Sequence, residues 1–378
     1  MAASIAIVDD DKSFIELTTR YLEYHGYSVW SAEDPAGFLA RALEDPPAVV
    51  LLDMQMRGGG GPQALAAVRE CPELKDLKVI VCSGMPVEQQ AKWAEGVANV
   101  RFLVKPFDTR RLGQLLEELV PKPAFLALTR AVSPRVAECE LTHLSRTPID
   151  AARAALQHAA YERALEKAGC ALERLPPAPD LPDSVFVEDA AVVFGELAVI
   201  TRPGAESRRP ELAEVERALE RRRPLKRIEA PGTLDGGDVL VAGRRVFVGR
   251  TARTNDEGIR QLGLLLAPHG YVVGAVPVTG CLHLKSAVTA FDENSLLINS
   301  AWVPRAAFPG FDLLEIDPSE PYAANVLRIG ETLIMSAAFP KTRERLEREW
   351  KKPVTVEADE LAKAEGALTC CSLIVHLR

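Results

Sequence analysis

Two sets of side chains in this 378-residue chain have the types and spacing to do chemistry. The first is Asp9-Asp10-Asp11 and Asp53, followed by the hydroxyl of Ser83 and the ammonium of Lys105. Carboxylates brought together repel one another unless a hard cation lies among them, and Mg²⁺ prefers oxygen ligands. A carboxylate beside such a cation, with a hydroxyl and an ammonium at hand, can accept a phosphoryl group. The second set lies beyond residue 123: Asp183, Glu188 and Asp189, then Asp235-Gly-Gly-Asp238, then His283, then Cys370-Cys371. A cysteine attacks as thiolate, so it needs a base or a positive neighbour. His283 lies in an apolar, strand-like stretch, with Asp235 and Asp238 available to orient it. No basic group is evident inside the acidic motifs, so a cationic substrate is expected to compensate them. A guanidinium suits carboxylates through paired hydrogen bonds.

Elements must bring these groups together. Apolar runs at Ile5–Val8, Tyr27–Trp30, Val49–Leu52, Val79–Val81 and Phe102–Val104 alternate with helical periodicity such as Leu112, Leu115, Leu116 and Leu119. This reads as a doubly wound, five-stranded parallel sheet whose strand ends gather the first acidic set at one edge. Pro121-Lys122-Pro123 interrupts the pattern. The expected division is 1–120, a short linker 121–123, and 124–378. In the second part a helix is expected from about Asp150 to Ala168, stopping at Gly169. Strand pairs follow, Val185–Phe194 with Leu197–Thr201 and Asp238–Ala242 with Arg245–Gly249, separated by helical segments near 210–222, 254–268 and 341–350.

Composition narrows the class. The hydrophobic share of 47% excludes a mainly disordered chain, and no apolar run reaches the length of a membrane-spanning helix. A net charge of −8 disfavours nucleic acid as partner, because phosphate neutralisation needs a basic face. Seven cysteines without paired spacing suggest a reducing compartment, and the first residues lack the basic start of a signal peptide. A cytoplasmic protein with no membrane partner is the expectation.

Residues 1–120 resemble a response-regulator receiver domain of flavodoxin-like fold. The resemblance implies Asp53 as phosphoacceptor, Asp9, Asp10 and Asp53 as Mg²⁺ ligands, and Ser83 and Lys105 as phosphoryl-stabilising residues. It implies a sensor histidine kinase or a small phosphodonor as partner, and places Phe102 where the family keeps a switch aromatic. One departure is that Arg57-Gly58-Gly59-Gly60-Gly61 follows Met56, leaving the loop beside Asp53 unusually permissive.

Each element of the second set alone also has a plain structural reading: buried cysteines as core, Gly-Gly as a turn, a lone histidine as a satisfied core residue. Together they resemble dimethylarginine dimethylaminohydrolase, of the guanidino-modifying superfamily, over about residues 124–378. The motifs are Asp183-Ser-Val-Phe-Val-Glu-Asp, Thr201-Arg-Pro-Gly-Ala-Glu-Ser-Arg-Arg, Thr233-Leu-Asp-Gly-Gly-Asp-Val, Ala252-Arg-Thr-Asn, Leu282-His-Leu-Lys and Leu368-Thr-Cys-Cys-Ser. The resemblance implies a five-bladed α/β-propeller (pentein) and a metal-free hydrolase.

Carried over residue by residue, Cys370 is the nucleophile, His283 the acid and base, and Asp235 the third member. Asp183, Glu188 and Asp189 would bind or frame the cationic ends of the substrate, Phe186 would line the pocket, and Arg208 and Arg253 would hold its carboxylate. The implied reaction turns an Nω-methylated arginine into citrulline and a methylamine through a covalent thiouronium. An arginine deiminase or another guanidine hydrolase is the neighbouring reading. A signalling adaptor with a non-catalytic hydrolase-like module is a third. A homodimer is compatible with any of these.

Overall fold

In the parallel sheet at the start of the chain, neighbouring side chains point to opposite faces, and both faces are apolar. The structure is a computed structural model that describes residues 3–57, 60–85, 99–120 and 123–377. It divides into two units, Met1–Lys122 and Pro123–Arg378. Linker residues 121 and 122, and Gly58 and Gly59 of the glycine run, lie outside the described residues. No helix among the described residues is long and apolar enough to cross a membrane. All seven cysteines are free thiols.

The first unit holds strands β1 (Ser4–Val8), β2 (Ser28–Ala32), β3 (Val49–Asp53), β4 (Lys78–Ser83) and β5 (Val100–Val104). They form one parallel sheet in the order β2-β1-β3-β4-β5. Ile5, Ile7, Val49 and Leu51 bury against one side, with Leu112 and Leu116 of a covering helix. Ala6, Val8, Val50 and Leu52 bury against the other, with Phe38 and Leu65. This period of two is what a strand covered on both faces requires. Among the described residues its helices are α1 (Lys12–Tyr24), α2 (Pro35–Glu44), α3 (Gly60–Glu70) and α4 (Thr109–Leu119). Asp11, Asp34 and Asp108 cap α1, α2 and α4 by accepting from early helix amides. Gly61 opens α3 where an added Cβ would lie 2.3 Å from the Asp53 carbonyl oxygen, so glycine is needed there for close approach.

The second unit repeats one supersecondary unit. β6 (Phe125–Thr129) and β7 (Cys170–Arg174) are parallel, joined through α5 (Ala151–Lys167). Asp150 caps α5, and Gly169 follows it at φ +94. Next come β8 (Ala191–Val193) and β9 (Ala198–Ile200), antiparallel, then α6 (Leu212–Glu220), then β10 (Leu225–Arg227) parallel to β9. The pattern recurs in β11 (Val239–Ala242), β12 (Arg245–Arg250), α7 (Asp256–Leu266) and β13 (Val272–Pro277). After the one-turn helix α8 (Leu284–Ala287), it recurs in β14 (Val288–Ala290), β15 (Ser295–Ile298) and β16 (Asp312–Glu315). It recurs again in β17 (Val326–Ile329), β18 (Thr332–Ser336), α9 (Pro340–Glu349) and β19 (Val354–Val356). After α10 (Asp359–Ala362), β20 (Leu373–His376) pairs antiparallel with β6 and completes the first sheet, giving five three-stranded sheets.

Two expected elements differ. Val185 and Phe186 are not strand; they lead into a 3-10 turn, Val187–Ala190, which leaves only Ala191–Val193 for the strand. His283 is not in a strand either. It stands immediately before α8, whose first amide, Leu284 N–H, donates to Asp238 Oδ1 at 3.0 Å. Capping by that carboxylate outweighs the apolar pattern.

Candidate functional site

At the edge of the first sheet, Asp9, Asp10 and Asp53 bring ligand oxygens within 4.8 Å of one another. Lys105 Nζ donates to Asp9 Oδ2 at 2.6 Å and lies 3.4 Å from Asp53 Oδ2. Burial raises the Asp9 carboxyl above its ordinary range against the pull of Lys105. Ser83 is fully buried at the end of β4. Gln55 was not foreseen here; its Oε1 accepts from Gly84 N–H at 2.9 Å and from Ser83 Oγ at 3.4 Å. Asp11 is a helix cap and no part of the cluster. Phe102 packs half-buried against the α2–α3 side of the core. Three acidic oxygens with a balancing ammonium fit a Mg²⁺ ion.

In the second unit, the turns and helix starts between sheets carry the chemistry. The 3-10 turn 187–190 presents Glu188 and Asp189, the 3-10 turn Gly236–Asp238 follows Asp235, and the 3-10 turn Thr369–Cys371 carries the cysteine pair. Cys370 and His283 line one cavity together with Asp183, Phe186, Asp189, Arg208 and Arg253. Asp235 is fully buried behind the imidazole, with Oδ2 3.0 Å from His283 Nε2. Asp189 Oδ1 lies 3.7 Å from His283 Nδ1. The glycine pair permits this contact, since a Cβ on Gly237 would lie 2.5 Å from His283 Nδ1.

The charges are strongly perturbed. Burial disfavours a charged His283, but Asp189, the Asp235 hydrogen bond and Asp238 push it up to about 9. Burial would raise Asp189, yet His283 and Arg208 bring it down to about 2. Burial, with Glu188 and Asp189 nearby, pushes the Cys370 thiol far above the usual thiol range. These shifts favour an imidazolium and a protonated thiol. Asp189, Asp235 and His283 also lie close enough for a metal. Arg208 and the amides of Gly237 and Gly204 already occupy the carboxylates, and an imidazolium repels a cation.

Several expected residues are placed differently. Asp238 does not orient His283: it caps α8 and accepts from Thr251 and Thr254 at 2.7 Å, while burial raises it to about 6. Glu188 does not line the cavity. It binds Lys285 Nζ at 2.5 Å and Thr369 Oγ1 at 2.9 Å, facing a separate recess of about 750 Å³. Arg208 reaches the cavity, but its donors go to Asp189 at 2.5 Å, Glu211 at 2.8 Å and the Phe186 carbonyl at 3.0 Å. The acidic motifs thus have internal cations, Lys285 and Arg208. The sequence hides them because one is 97 residues from its partner and the other 19. Arg253 remains less engaged, donating to Thr142 Oγ1 at 3.3 Å.

A roof closes the cavity to about 10 Å³, room for one water. Glu140 and the stretch Ala364–Gly366 line it there, and Glu365 ties that stretch to the segment 140–144. Its Thr142, His143 and Leu144 amides converge on the carboxylate of Glu365 at 2.9, 2.5 and 2.5 Å. Glu365 holds a left-handed φ of +58. Neither Glu140 nor Glu365, both lining residues, carries a sequence motif that would have found it.

Fold and cluster together define the class: a five-stranded parallel sheet of the receiver type followed by a pentein-like α/β unit. Residues 5–117 match the response regulator receiver domain family. The rest of the chain is 47% identical over 254 residues to N(G),N(G)-dimethylarginine dimethylaminohydrolase of Streptomyces coelicolor, covering 66% of this chain and 97% of that one. It is 40% identical to the enzyme of the same name from Pseudomonas aeruginosa, covering 61% and 91%. A solved structure of the Pseudomonas aeruginosa protein, a cysteine-to-serine variant complexed with citrulline, superposes with a TM-score of 0.63 at 37% identity, covering 66% and 98%. The chain belongs to the dimethylarginine dimethylaminohydrolase family and carries a response-regulator receiver domain at its N-terminus.

Proposed function

We propose that the second unit hydrolyses Nω-methylated arginines to citrulline and methylamines, and that its five sheets are the blades of a propeller around that site. The observation that carries this reading is the convergence of Cys370, His283, Asp183 and Asp189 on one cavity. Return of the last strand to pair with β6 supports the closed ring.

The substrate guanidinium enters between Asp183, Asp189 and Cys370. Its charge stabilises the thiolate, and the thiol proton leaves to solvent. Cys370 Sγ bonds to the guanidinium carbon. The carbon–nitrogen bond to the methylated nitrogen then breaks, with the proton of His283 going to the departing amine. His283, now neutral, takes a proton from water as that oxygen attacks the thiouronium carbon. The carbon–sulfur bond then breaks as the adduct's hydroxyl gives its proton to solvent, releasing citrulline and the thiolate. One group serves as acid and then base, held in orientation by Asp235. Asp183 and Asp189 keep the guanidinium cationic and electrophilic, Phe186 walls the pocket, and Arg253 holds the α-carboxylate. Arg208 acts mainly through Asp189, and Glu188 frames the nucleophile turn through Thr369.

In the receiver, Asp9, Asp10 and Asp53 would hold Mg²⁺, whose chemistry is neutralising phosphoryl charge. Asp53 accepts the phosphoryl group from a sensor histidine kinase or a small phosphodonor, with Ser83 and Lys105 stabilising it. The modification regulates the hydrolase or its assembly in a cytoplasmic protein. The test is turnover of asymmetric dimethylarginine, monomethylarginine and arginine by wild type and Cys370→Ser. Turnover of methylated substrates, lost in the variant, is expected; preference for arginine overturns the substrate assignment in favour of a deiminase.

A further inference from the structure

The nucleophile turn is gripped from behind by a helix that takes no part in the reaction. Tyr161 of α5 is wholly buried in the core that also holds Cys370 and Cys371. Its hydroxyl meets Ser372 Oγ at 2.7 Å. His158, three residues earlier on the same helix, is buried beside Tyr161, with ring centroids 6.2 Å apart. Phenylalanine would fill the space of Tyr161 without burying a hydroxyl, a group that costs free energy unless paired. The choice of tyrosine therefore points to the pairing itself.

On the other side of the cysteine, Thr369 is anchored as firmly. Its N–H donates to Asn325 Oδ1 at 3.2 Å, and its hydroxyl donates to Glu188 Oε2 at 2.9 Å while accepting from Asn325 Nδ2 at 2.9 Å. Cys370 stands between these anchors on a 3-10 turn of three residues, Thr369–Cys371, too short to hold its own geometry.

We propose that the Tyr161–Ser372 hydroxyl pair positions Cys370, fixing the turn so that Sγ is presented to the cavity in attacking geometry. Tyr161 touches no reacting atom; it is a positioning residue acting through Ser372. The inference rests on Cys370 being the nucleophile.

The test measures kcat and KM for asymmetric dimethylarginine, with the thermal midpoint, in Y161F, S372A and the double variant. Y161F is expected to lower kcat about five- to tenfold with KM within about twofold, since only alignment for the chemical step is lost. The double variant is expected to be no worse than the worse single, because neither hydroxyl is then left unpaired. Wild-type kcat in Y161F, or strictly additive losses in the double variant, overturns the proposal. Should Y161F not fold, S372A carries the same comparison. Cys370→Ser separates the two readings: if it still turns over, the nucleophile assignment has failed. If it is inactive while Y161F is unimpaired, the positioning role has failed.

Discussion

Of the two groups at the centre of the proposed reaction, His283 is held in the protonated form that its first step uses, whereas Cys370 is held as the thiol and must lose its proton. Asp189 and Asp235 hold the imidazole charged, and burial beside Glu188 and Asp189 keeps the thiol protonated. A cation bound in the cavity reverses the thiol's balance. Alkylation of Cys370 by iodoacetamide should therefore shift to lower pH when a cationic, non-reacting guanidine is present, and an unchanged profile would count against it. The same charges bear on stability. His283 is raised from an ordinary 6.5 to about 9, so the fold binds its proton more tightly than the unfolded chain does. That stabilisation is complete below about pH 6.5 and is lost as pH rises through about 9, on the order of 3 kcal/mol in all. A midpoint of thermal unfolding that declines from pH 7 to 9.5 in wild type, and declines less in His283→Gln, is the expected result.

Short turns between sheets, rather than strands, hold the working side chains, so backbone space becomes a requirement. A Cβ on Gly237 would meet His283 Nδ1 at 2.5 Å and Asp189 Oδ1 at 2.8 Å. Gly237→Ala should cut kcat/KM by roughly 100-fold or more, since displacement of about 1 Å is enough to spoil alignment. Steady-state kinetics beside a circular dichroism spectrum checks this, and near-normal turnover would show that the contact is dispensable. The same level of organisation explains what could be read from the chain. The receiver strands were legible because parallel strands covered on both faces are unbroken apolar runs. The helix 151–167 was legible from its cap and terminal glycine. Val185–Phe186 and His283 were misread because apolar residues in a turn look like those in a strand. Motifs singled out Cys370, His283 and Asp235, and the fold brings the first two to one cavity with Asp235 behind the imidazole. Lys285 on Glu188 and Glu365 on the 142–144 amides escaped, since those pairings exist only after distant segments fold together.

The whole chain joins a receiver domain to a unit of the dimethylarginine dimethylaminohydrolase family. Incubation with Mg²⁺ and acetyl phosphate should yield a labile adduct that Asp53→Asn lacks, and phosphorylated protein should differ in kcat, KM or mass in solution. Equal kinetics and equal mass would leave the receiver without a regulatory role. If the effect travels along the chain, inserting about six glycine and serine residues after Lys122 should abolish it without changing unphosphorylated turnover, because slack transmits no displacement.

The register of one strand pair links the start of the second unit to the thiol's turn. β6 begins at Phe125, close behind the proline that opens the second unit, and lies against β20 from Phe125–His376 to Leu128–Leu373. β20 in turn starts three residues after Cys370. Four residue pairs thus tie the first strand of the second unit to the strand that follows the thiol's turn. The two ends of the second unit meet beside Cys370, so placement of the thiol depends on the last strand finding the first.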